Sequence, residues 1–183
     1  MDEADEKVLV VATRLFAELG YDTTTLGMIT DAVGKEAEES KLLRLGKRQL
    51  YRHAFGRLHA METARLEAAA REAPDDPEGV HHLVDVFIDF VTEHPEFPAL
   101  WSQRSLKDAI DLRFPEKEFP PPLLTVLTSH SWQGLRPDID LELISWMIIW
   151  TVADYVFSSR VSGRDFPFAN FRPRLHALLD QVL

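Results

Sequence analysis

Hydrophobic side chains recur at spacings of three and four along most of the chain, which is the period of an amphipathic helix. The first apolar stripe runs up to Gly20 and contains Val8, Leu9, Ala12, Leu15, Phe16 and Leu19. A later stripe follows Asp76 and Pro77, a cap and first-turn pair, and contains Val80, Leu83, Val84, Phe87, Ile88 and Val91. No stretch alternates with period two for long enough to form a strand. The pattern predicts an all-α protein.

Several shorter helices are predicted between these two stripes. Thr23, Thr24 and Thr25 supply hydroxyl caps before a short second helix that ends near Gly34. Residues 35–45 favour a helix, residues 46–55 predict another short helix, and residues 58–71 predict a longer one. The Pro and Asp cluster at 73–77 then ends the helical pattern. We expect an amino-terminal domain at 1–57 and a larger helical domain at 58–183.

Residues 141–157 form a predicted helix that is apolar on nearly every side. Such a helix must be covered on every side. The chain's own core covers one face, so we expect the other face to meet a second copy, because symmetric dimers are the commonest oligomers. A central helix in a monomeric bundle is the alternative. The predicted dimer residues are Trp146, Ile149, Phe157, Leu175 and Leu178.

Charge is distributed unevenly along this acidic chain, whose formal net charge is -10. The first 71 residues are nearly neutral, and the remainder carries most of the negative charge. Between Ser40 and Arg57 there is no Asp or Glu, and the cations are Lys41, Arg44, Lys47, Arg48, Arg52 and Arg57. A local cationic run beside aromatic and imidazole side chains is what phosphate contact requires. A solvated helix face rich in Lys and Arg would give the same pattern.

The composition also bears on where the protein acts. The chain has no cysteine, so neither a disulfide framework nor a thiolate metal site is expected. Residues 1–6 are acidic where a secretory signal would be basic and then apolar. The apolar stretch at 144–157 is shorter than the roughly 20 residues that span a bilayer. We expect a cytoplasmic protein without membrane insertion.

Two segments carry a resemblance to a known family. Residues 15–26 read Leu-Phe-Ala-Glu-Leu-Gly-Tyr-Asp-Thr-Thr-Thr-Leu, and Ile29 and then Leu50-Tyr51-Arg52-His53 follow them. Together they resemble the amino-terminal signature of the TetR family of transcriptional repressors. The resemblance implies a three-helix helix-turn-helix head, a helical-bundle body and a homodimer. It also implies a ligand-responsive regulator, a repressor, that binds a palindromic operator in double-stranded DNA.

The resemblance assigns DNA contacts by position. The family pattern implies phosphate contacts for Thr25, Tyr51 and His53, and base contacts for the residues early in the recognition helix. The implied DNA-binding set is Thr25, Lys47, Arg48, Gln49, Tyr51, Arg52 and His53. Arg and Lys donate to guanine and Gln pairs with adenine, so the residue types suit this role. Partial burial of Tyr51 under the first helix and simple exposure of His53 are the alternatives.

The chain departs from the family pattern just before this motif. The family passes from the glycine after the second helix to the Leu-Tyr pair in far fewer residues, whereas here residues 35–49 intervene. Gly46 also stands where the family has a hydroxyl cap. We expect residues 36–45 to form an extra helical turn or a lengthened second helix. Glu36, Glu38 and Glu39 would repel phosphate unless they point away from it.

The body contains all four tryptophans, which favours a pocket for a small apolar or aromatic effector. Aromatic stripes at helical spacing are more often plain core, which is the alternative. The predicted pocket residues are His82, Phe87, Phe90, Trp101, Arg104, Trp132, Trp150 and Asp154.

Signals for an enzyme are weak. Glu78 and His81 have the spacing of a carboxylate-bridged di-metal helix, but the chain has no second copy of that motif. It also lacks a Gly-rich phosphate loop and a nucleophile elbow. We therefore expect no catalytic residues, no metal and no cofactor. The alternative function is a helical small-molecule-binding protein of the same fold in which DNA binding is weakened or lost.

Overall fold

The computed structural model describes residues 2–105, 118–161 and 168–183, with the side chains of all these residues except 104, 105, 157–161, 168 and 169. All regular structure within these residues is helical, which confirms the all-α prediction. The α-helices are α1 (Glu3–Leu19), α2 (Leu26–Val33), α3 (Lys41–Arg44), α4 (Lys47–Glu72), α5 (Pro77–Glu93), α6 (Glu96–Ser105), α7 (Pro122–Ser129), α8 (Leu141–Val161) and α9 (Phe168–Val182). A 3-10 helix at Lys35–Glu39 lies between α2 and α3.

The chain divides into two compact units. The first consists of Met1–Ala60 with Glu96–Phe119, and the second consists of Met61–Pro95 with Pro120–Leu183. These units differ from the predicted domains 1–57 and 58–183, because α6 belongs to the first unit although it follows α5 in sequence. Helix α4 contributes residues to both units.

The first unit is built on α1. This helix packs against α2, the 3-10 helix, α3 and α6. Its predicted stripe is buried at Val8, Leu9, Ala12 and Phe16, whereas Leu19 is exposed. Burying each of these larger side chains contributes roughly 1.5–3 kcal/mol, so this face of α1 organises the unit.

The second unit is built on α5, α7, α8 and α9. Helix α7 packs on α8, and α5 packs on all three of the others. The predicted stripe of α5 is buried at every position, at Val80, Leu83, Val84, Phe87, Ile88 and Val91. The helical period therefore identified the core face of α5 correctly.

Helix ends follow local chemistry. Thr25 Oγ1 accepts a hydrogen bond from the backbone N–H of Met28 and caps α2. The Asp76 carboxylate accepts from the N–H groups of Glu78 and Gly79 at the start of α5, where Pro77 occupies the first turn. Gly20 ends α1 with φ 83°, a conformation that glycine adopts at no steric cost. These ends were all predicted from sequence.

Helix α4 differs from prediction. We expected two helices, at 46–55 and 58–71, but one helix runs from Lys47 to Glu72. Gly56 lies inside it, although glycine in a helix interior costs about 1 kcal/mol relative to alanine. The ring of Phe119 packs beside it, 3.4 Å from where a Cβ would lie, which is an ordinary van der Waals distance.

The segment between α2 and α4 forms the expected extra helical turns and does not lengthen α2. Asp5 of α1 fixes it in place. The Asp5 Oδ1 accepts hydrogen bonds from the Ser40 hydroxyl at 2.8 Å, the Lys41 N–H at 2.8 Å and the Leu42 N–H at 3.0 Å. The Leu42 N–H, followed by the Ser40 hydroxyl and the Lys41 N–H, lowers the pKa of Asp5 against the opposing effect of burial. The carboxylate of Asp5 therefore binds the amino-terminal end of α3 to α1.

We predict that Asp5→Asn lowers the midpoint of thermal unfolding near neutral pH, because the amide lacks the charge that these donors stabilise. A carboxylate with a lowered pKa contributes stability that is present at neutral pH and lost as pH falls through its folded-state pKa. The difference between the two proteins should therefore close in acid. Asp31→Asn, at an exposed position on α2, is the matched control. Equal midpoints for Asp5→Asn and the unmutated protein near neutral pH would contradict the role of Asp5.

Candidate nucleic-acid interface and helical body

The position directly after α2 is where a helix-turn-helix places its reading helix, because a tight turn joins the two helices. In this chain that position holds the 3-10 helix Lys35–Glu39 and the short helix α3. Ala37 and Leu42 are buried against the rest of the unit. The side chains of Glu36, Glu38 and Glu39 are exposed. The candidate reading segment is therefore residues 35–44, and it presents three acidic side chains to solvent.

The helix that we predicted to read DNA, residues 46–55, is instead the start of α4. Tyr51, predicted to contact phosphate, is only 1% exposed. Its ring packs edge-on against Phe16 and Tyr21, with ring centroids 5.1 Å apart in each pair. The prediction of a phosphate contact for Tyr51 is wrong in this structure, because the side chain belongs to the core of the first unit.

Other predicted DNA contacts at the start of α4 also have partners within the protein. The Lys47 ammonium lies 3.2 Å from the carbonyl oxygen of Asp22 and 4.3 Å from the ring centre of Tyr21. The Arg52 guanidinium pairs with Glu118. These contacts hold the two cations to the protein's own surface, so neither extends freely into solvent.

Gln49, Arg52 and His53 are exposed and line one groove of the first unit, of about 670 Å³. The rest of its lining is Glu6, Leu9, Gly56, Arg57 and Phe119. Arg57 pairs with Glu6 at 2.5 Å, so the groove holds both signs of charge. It therefore lacks the uniform positive field that attracts a phosphate backbone.

The cationic run at 41–57 is largely paired. Lys41 pairs with Asp2 and the Arg44 guanidinium donates to the carbonyl oxygen of Glu38. Among the described residues, Arg48 is the one cation of the run without a hydrogen bond or ion pair, and it is exposed. Thr25, predicted to contact phosphate, is also exposed while it caps α2. Because exposed ion pairs stabilise by about 0–1 kcal/mol each, phosphates can replace them at little cost.

The predicted effector residues do not share one environment. Trp101 lies in the first unit, where it packs against Phe55 and Phe97. Phe87 and Phe90 are buried in the second unit, and Trp132 is half-buried there with its indole N–H donating to the carbonyl oxygen of Leu127. The side chain of Arg104 lies outside the described residues. His82, Trp150 and Asp154 are exposed and do not line the groove between α8 and α9, so their place in a pocket stays a prediction.

Glu62 is a buried acidic residue that the sequence analysis missed. It lies on α4, is 1% exposed, and its Oε2 has no hydrogen-bond partner. Burial raises the pKa of Glu62 from 4.5 to about 8, so the carboxyl group is mostly protonated at neutral pH. The spacing of four that places Ala54, Leu58, Glu62 and Leu66 on one face of α4 is the signal that would have identified it. A buried polar atom without a partner suits a bound molecule or water.

The second unit exposes an apolar groove of about 390 Å³ between α8 and α9. Its apolar lining includes Leu143 (57% exposed), Met147 (53%) and Leu178 (50%). Trp150, 45% exposed, continues the stripe on α8. Contiguous exposed apolar surface of this kind marks an interaction site.

The predicted dimer residues only partly match this groove. Leu175 and Leu178 line it. Ile149 is buried within its own unit and Trp146 is half-buried. The face of α8 that we predicted to point outward is therefore not the exposed face. The outward face carries Leu143, Met147 and Trp150 instead. The side chain of Phe157 lies outside the described residues.

Within the described ranges, no group of three or more His, Asp or Glu side chains has the geometry to bind a metal ion. No helix of the same ranges is long and apolar enough to cross a bilayer.

Solved structures with the same architecture are transcriptional regulators. The fatty acid degradation regulator FadR from Bacillus halodurans is 17% identical, with a TM-score of 0.77 over 98% of this chain and 95% of that one. The ketosteroid transcriptional regulator KstR2 of Mycobacterium tuberculosis is 19% identical, with a TM-score of 0.71 over 98% and 94%. PfmR from Thermus thermophilus, a TetR family regulator, is 19% identical, with a TM-score of 0.65 over 96% and 95%.

No protein-family model and no curated protein matches the chain. The structural likeness nevertheless extends over nearly the whole of each compared chain. The protein therefore has the fold of TetR-type transcriptional regulators, which confirms the fold expected from residues 15–26. The three named neighbours are regulators.

We predict that Glu62→Gln removes a pH dependence of stability. A carboxyl group whose pKa is about 8 when folded and 4.5 when unfolded stabilises the protein most at low pH, and this contribution is lost as pH rises through that window. Between these two pKa values, the free energy of unfolding should fall by about 1.4 kcal/mol for each unit of rising pH. Urea unfolding at several pH values measures it. Glu67→Gln, at an exposed position on α4, should retain the slope, and a slope that persists in Glu62→Gln would contradict the burial argument.

Proposed function

We propose that the protein is a DNA-binding transcriptional regulator of the TetR type and acts as a homodimer. The observation that carries the proposal is the structural likeness to such regulators over nearly the whole chain. A regulator of this kind acts in the cytoplasm on an operator with two half-sites. Repression is the expected direction of control, because steady occupancy of an operator blocks transcription.

The proposed DNA-contacting surface consists of the amino-terminal end of α2, the segment 35–44 and Arg48. Thr25 at the start of α2 is exposed and lies where a helix amino terminus attracts phosphate. Lys35, Lys41 and Arg44 are exposed cations within or beside the segment. The three glutamates of the segment oppose them, so the affinity for DNA is modest and is greatest at low salt.

A second candidate function is favoured by the same three glutamates. If Glu36, Glu38 and Glu39 prevent phosphate contact, the protein is a small-molecule-binding protein of the same fold. The two candidates differ in their affinity for duplex DNA at low salt.

The effector proposed for the second unit is a small apolar or aromatic molecule. Two of the structural neighbours are, by name, a regulator of fatty acid degradation and a ketosteroid regulator, which supports an apolar class. The protonated Glu62 carboxyl group would donate a hydrogen bond to a carbonyl or hydroxyl oxygen of that molecule. Because α4 contributes to both units, it is the proposed route by which the effector alters DNA contact. Tryptophan fluorescence titrated with a long-chain fatty acid and with a steroid tests this part, and an unchanged signal with both would count against it.

We predict that Arg48→Ala weakens binding to the duplex upstream of the protein's own gene and reduces the slope of log affinity against log salt by about one. Glu39→Gln should strengthen binding, because it removes a negative charge from the segment. Arg71→Ala, at an exposed cation near the other end of α4, is the matched control and should leave affinity unchanged. Mobility-shift titration at several salt concentrations measures all three. Absence of a shifted complex even at low salt would favour the second candidate.

We predict that Met147→Glu or Leu178→Glu converts a dimer to a monomer. The proposed dimer pairs the α8–α9 groove of one copy with that of another, and a charge placed in such an interface is costly to desolvate. Met61→Glu, at an exposed position on α4, is the control and should leave the dimer intact. Sedimentation velocity over a range of concentrations gives the mass. A monomeric unmutated protein would refute this interface.

A further inference from the structure

Six charged or titratable side chains form one continuous row between α5 and α9 in the second unit. Helix α5 contributes three of them at spacings of four, and α9 contributes the other three at the same spacing. The six are His81, Asp85, Asp89, Arg172, His176 and Asp180. This spacing places each set on a single helix face.

The two imidazoles meet in the middle of the row. His81 Nδ1 lies 2.6 Å from His176 Nδ1. On the outer sides, His81 Nε2 lies 3.0 Å from Asp180 Oδ1, and His176 Nε2 lies 2.8 Å from Asp85 Oδ1. Arg172 pairs with Asp85 at 3.2 Å and also with Asp89. Both imidazoles are mostly buried, with 12% and 22% of the side chain exposed.

The contacts determine how many protons the two rings hold. His176 Nε2 is hydrogen-bonded to the carboxylate of Asp85, which only accepts, so this Nε2 carries a proton. His81 Nε2 lies at ion-pair distance from the carboxylate of Asp180, and the negative charge favours a proton on that atom as well. The two Nδ1 atoms lie at hydrogen-bonding distance, so one of them must donate to the other. The pair therefore holds three protons, one more than two neutral imidazoles, and carries a single positive charge between two carboxylates.

We propose that His81 and His176 share this one proton and act together as a clasp that holds α9 against α5 in a single protonation state. A second added proton places two N–H groups face to face at the centre and breaks the contact. If the shared proton is removed, two unfavourable arrangements remain. Either the lone pairs of the two Nδ1 atoms face each other, or one Nε2 atom loses its proton and its lone pair faces a carboxylate. The clasp is weakened in both directions of pH.

No other charged group among the described residues competes for these atoms. Apart from the six side chains of the row, no described residue makes a hydrogen bond or an ion pair with either imidazole. Arg172 pairs with the same Oδ1 of Asp85 that His176 contacts and also pairs with Asp89, so the negative charge of both carboxylates is balanced beside His176. A proton fits the 2.6 Å separation, whereas a metal ion bound to both Nδ1 atoms at about 2.0–2.1 Å each would need a wider gap.

The clasp also has a consequence for the apolar groove. On α9, the residues of the row, Arg172, His176 and Asp180, alternate with three leucines that line the groove. These leucines are Leu175, Leu178 and Leu179. Loss of the contact to α5 would free this helix to shift. The clasp itself does not depend on the proposed regulatory function, but this consequence for dimer formation does.

Long-range proton–nitrogen NMR on protein labelled in the imidazole nitrogens tests the clasp directly. Over about pH 5–8, where histidines commonly change charge, the expected spectrum shows both Nε2 atoms protonated and one proton shared by the two Nδ1 atoms. His81→Gln and His176→Gln assign the signals. Two rings that titrate independently, or stoichiometric zinc or copper in protein purified without a histidine tag, would overturn the proposal.

A double-mutant cycle on unfolding gives a second readout. His81→Gln, His176→Gln and the double variant should reveal a coupling of about tenfold in the unfolding equilibrium constant, greatest at an intermediate pH. His130→Gln is the matched control, because His130 Nε2 lies 2.6 Å from Asp75 Oδ1 without a second imidazole. The destabilisation caused by His130→Gln should only decrease as pH rises, since a single histidine binds a carboxylate best when it is protonated. A His81–His176 coupling that follows the same one-sided course would contradict the shared proton, and the NMR test stands even if a variant fails to fold.

Discussion

The carboxylate of Asp5 determines what the first unit can present to a partner. By accepting hydrogen bonds from Ser40, Lys41 and Leu42, it holds the start of α3 against α1. Donors from both a side chain and the backbone converge on one oxygen, so residues 35–44 have little freedom to move away. Because this segment occupies the reading position after α2, its acidic residues remain at the surface. The charge of the proposed DNA-contacting surface depends on that constraint.

Electrostatics and packing have separate roles in this molecule. Aromatic packing around Tyr51 fixes the start of α4, while exposed ion pairs neutralise most of the cationic run without stabilising the fold much. The second unit places its ionisable groups differently, since Glu62 is buried without a partner and the histidine clasp is fully paired. The proposed effector contact at Glu62 and the histidine clasp therefore both lie in the second unit, and α4 joins that unit along the chain to the proposed DNA-contacting surface.

The sequence predicted those features that local chemistry decides. Caps at Thr25 and Asp76 and the core face of α5 follow from hydrogen-bond donors, acceptors and helical period alone. The phosphate contact predicted for Tyr51 was wrong, because a match to a family's sequence motif does not reveal which face of the helix is buried. Separate helices were expected at 46–55 and 58–71, but one helix runs from Lys47 to Glu72 despite the low helix propensity of Gly56. The outward face of α8 could not be found, because a helix that is apolar all round has no polar stripe to mark solvent.

We propose a two-fold symmetric regulator whose reading segment is acidic yet contacts DNA. Selection from a pool of random duplexes at low salt, followed by sequencing, tests this most directly, because it presumes neither the operator nor the gene it controls. The proposed homodimer should enrich a palindromic sequence whose half-site centres lie one duplex turn apart, about 34–36 Å. A pool that remains random after repeated rounds, or an enriched site without two-fold symmetry, would contradict it.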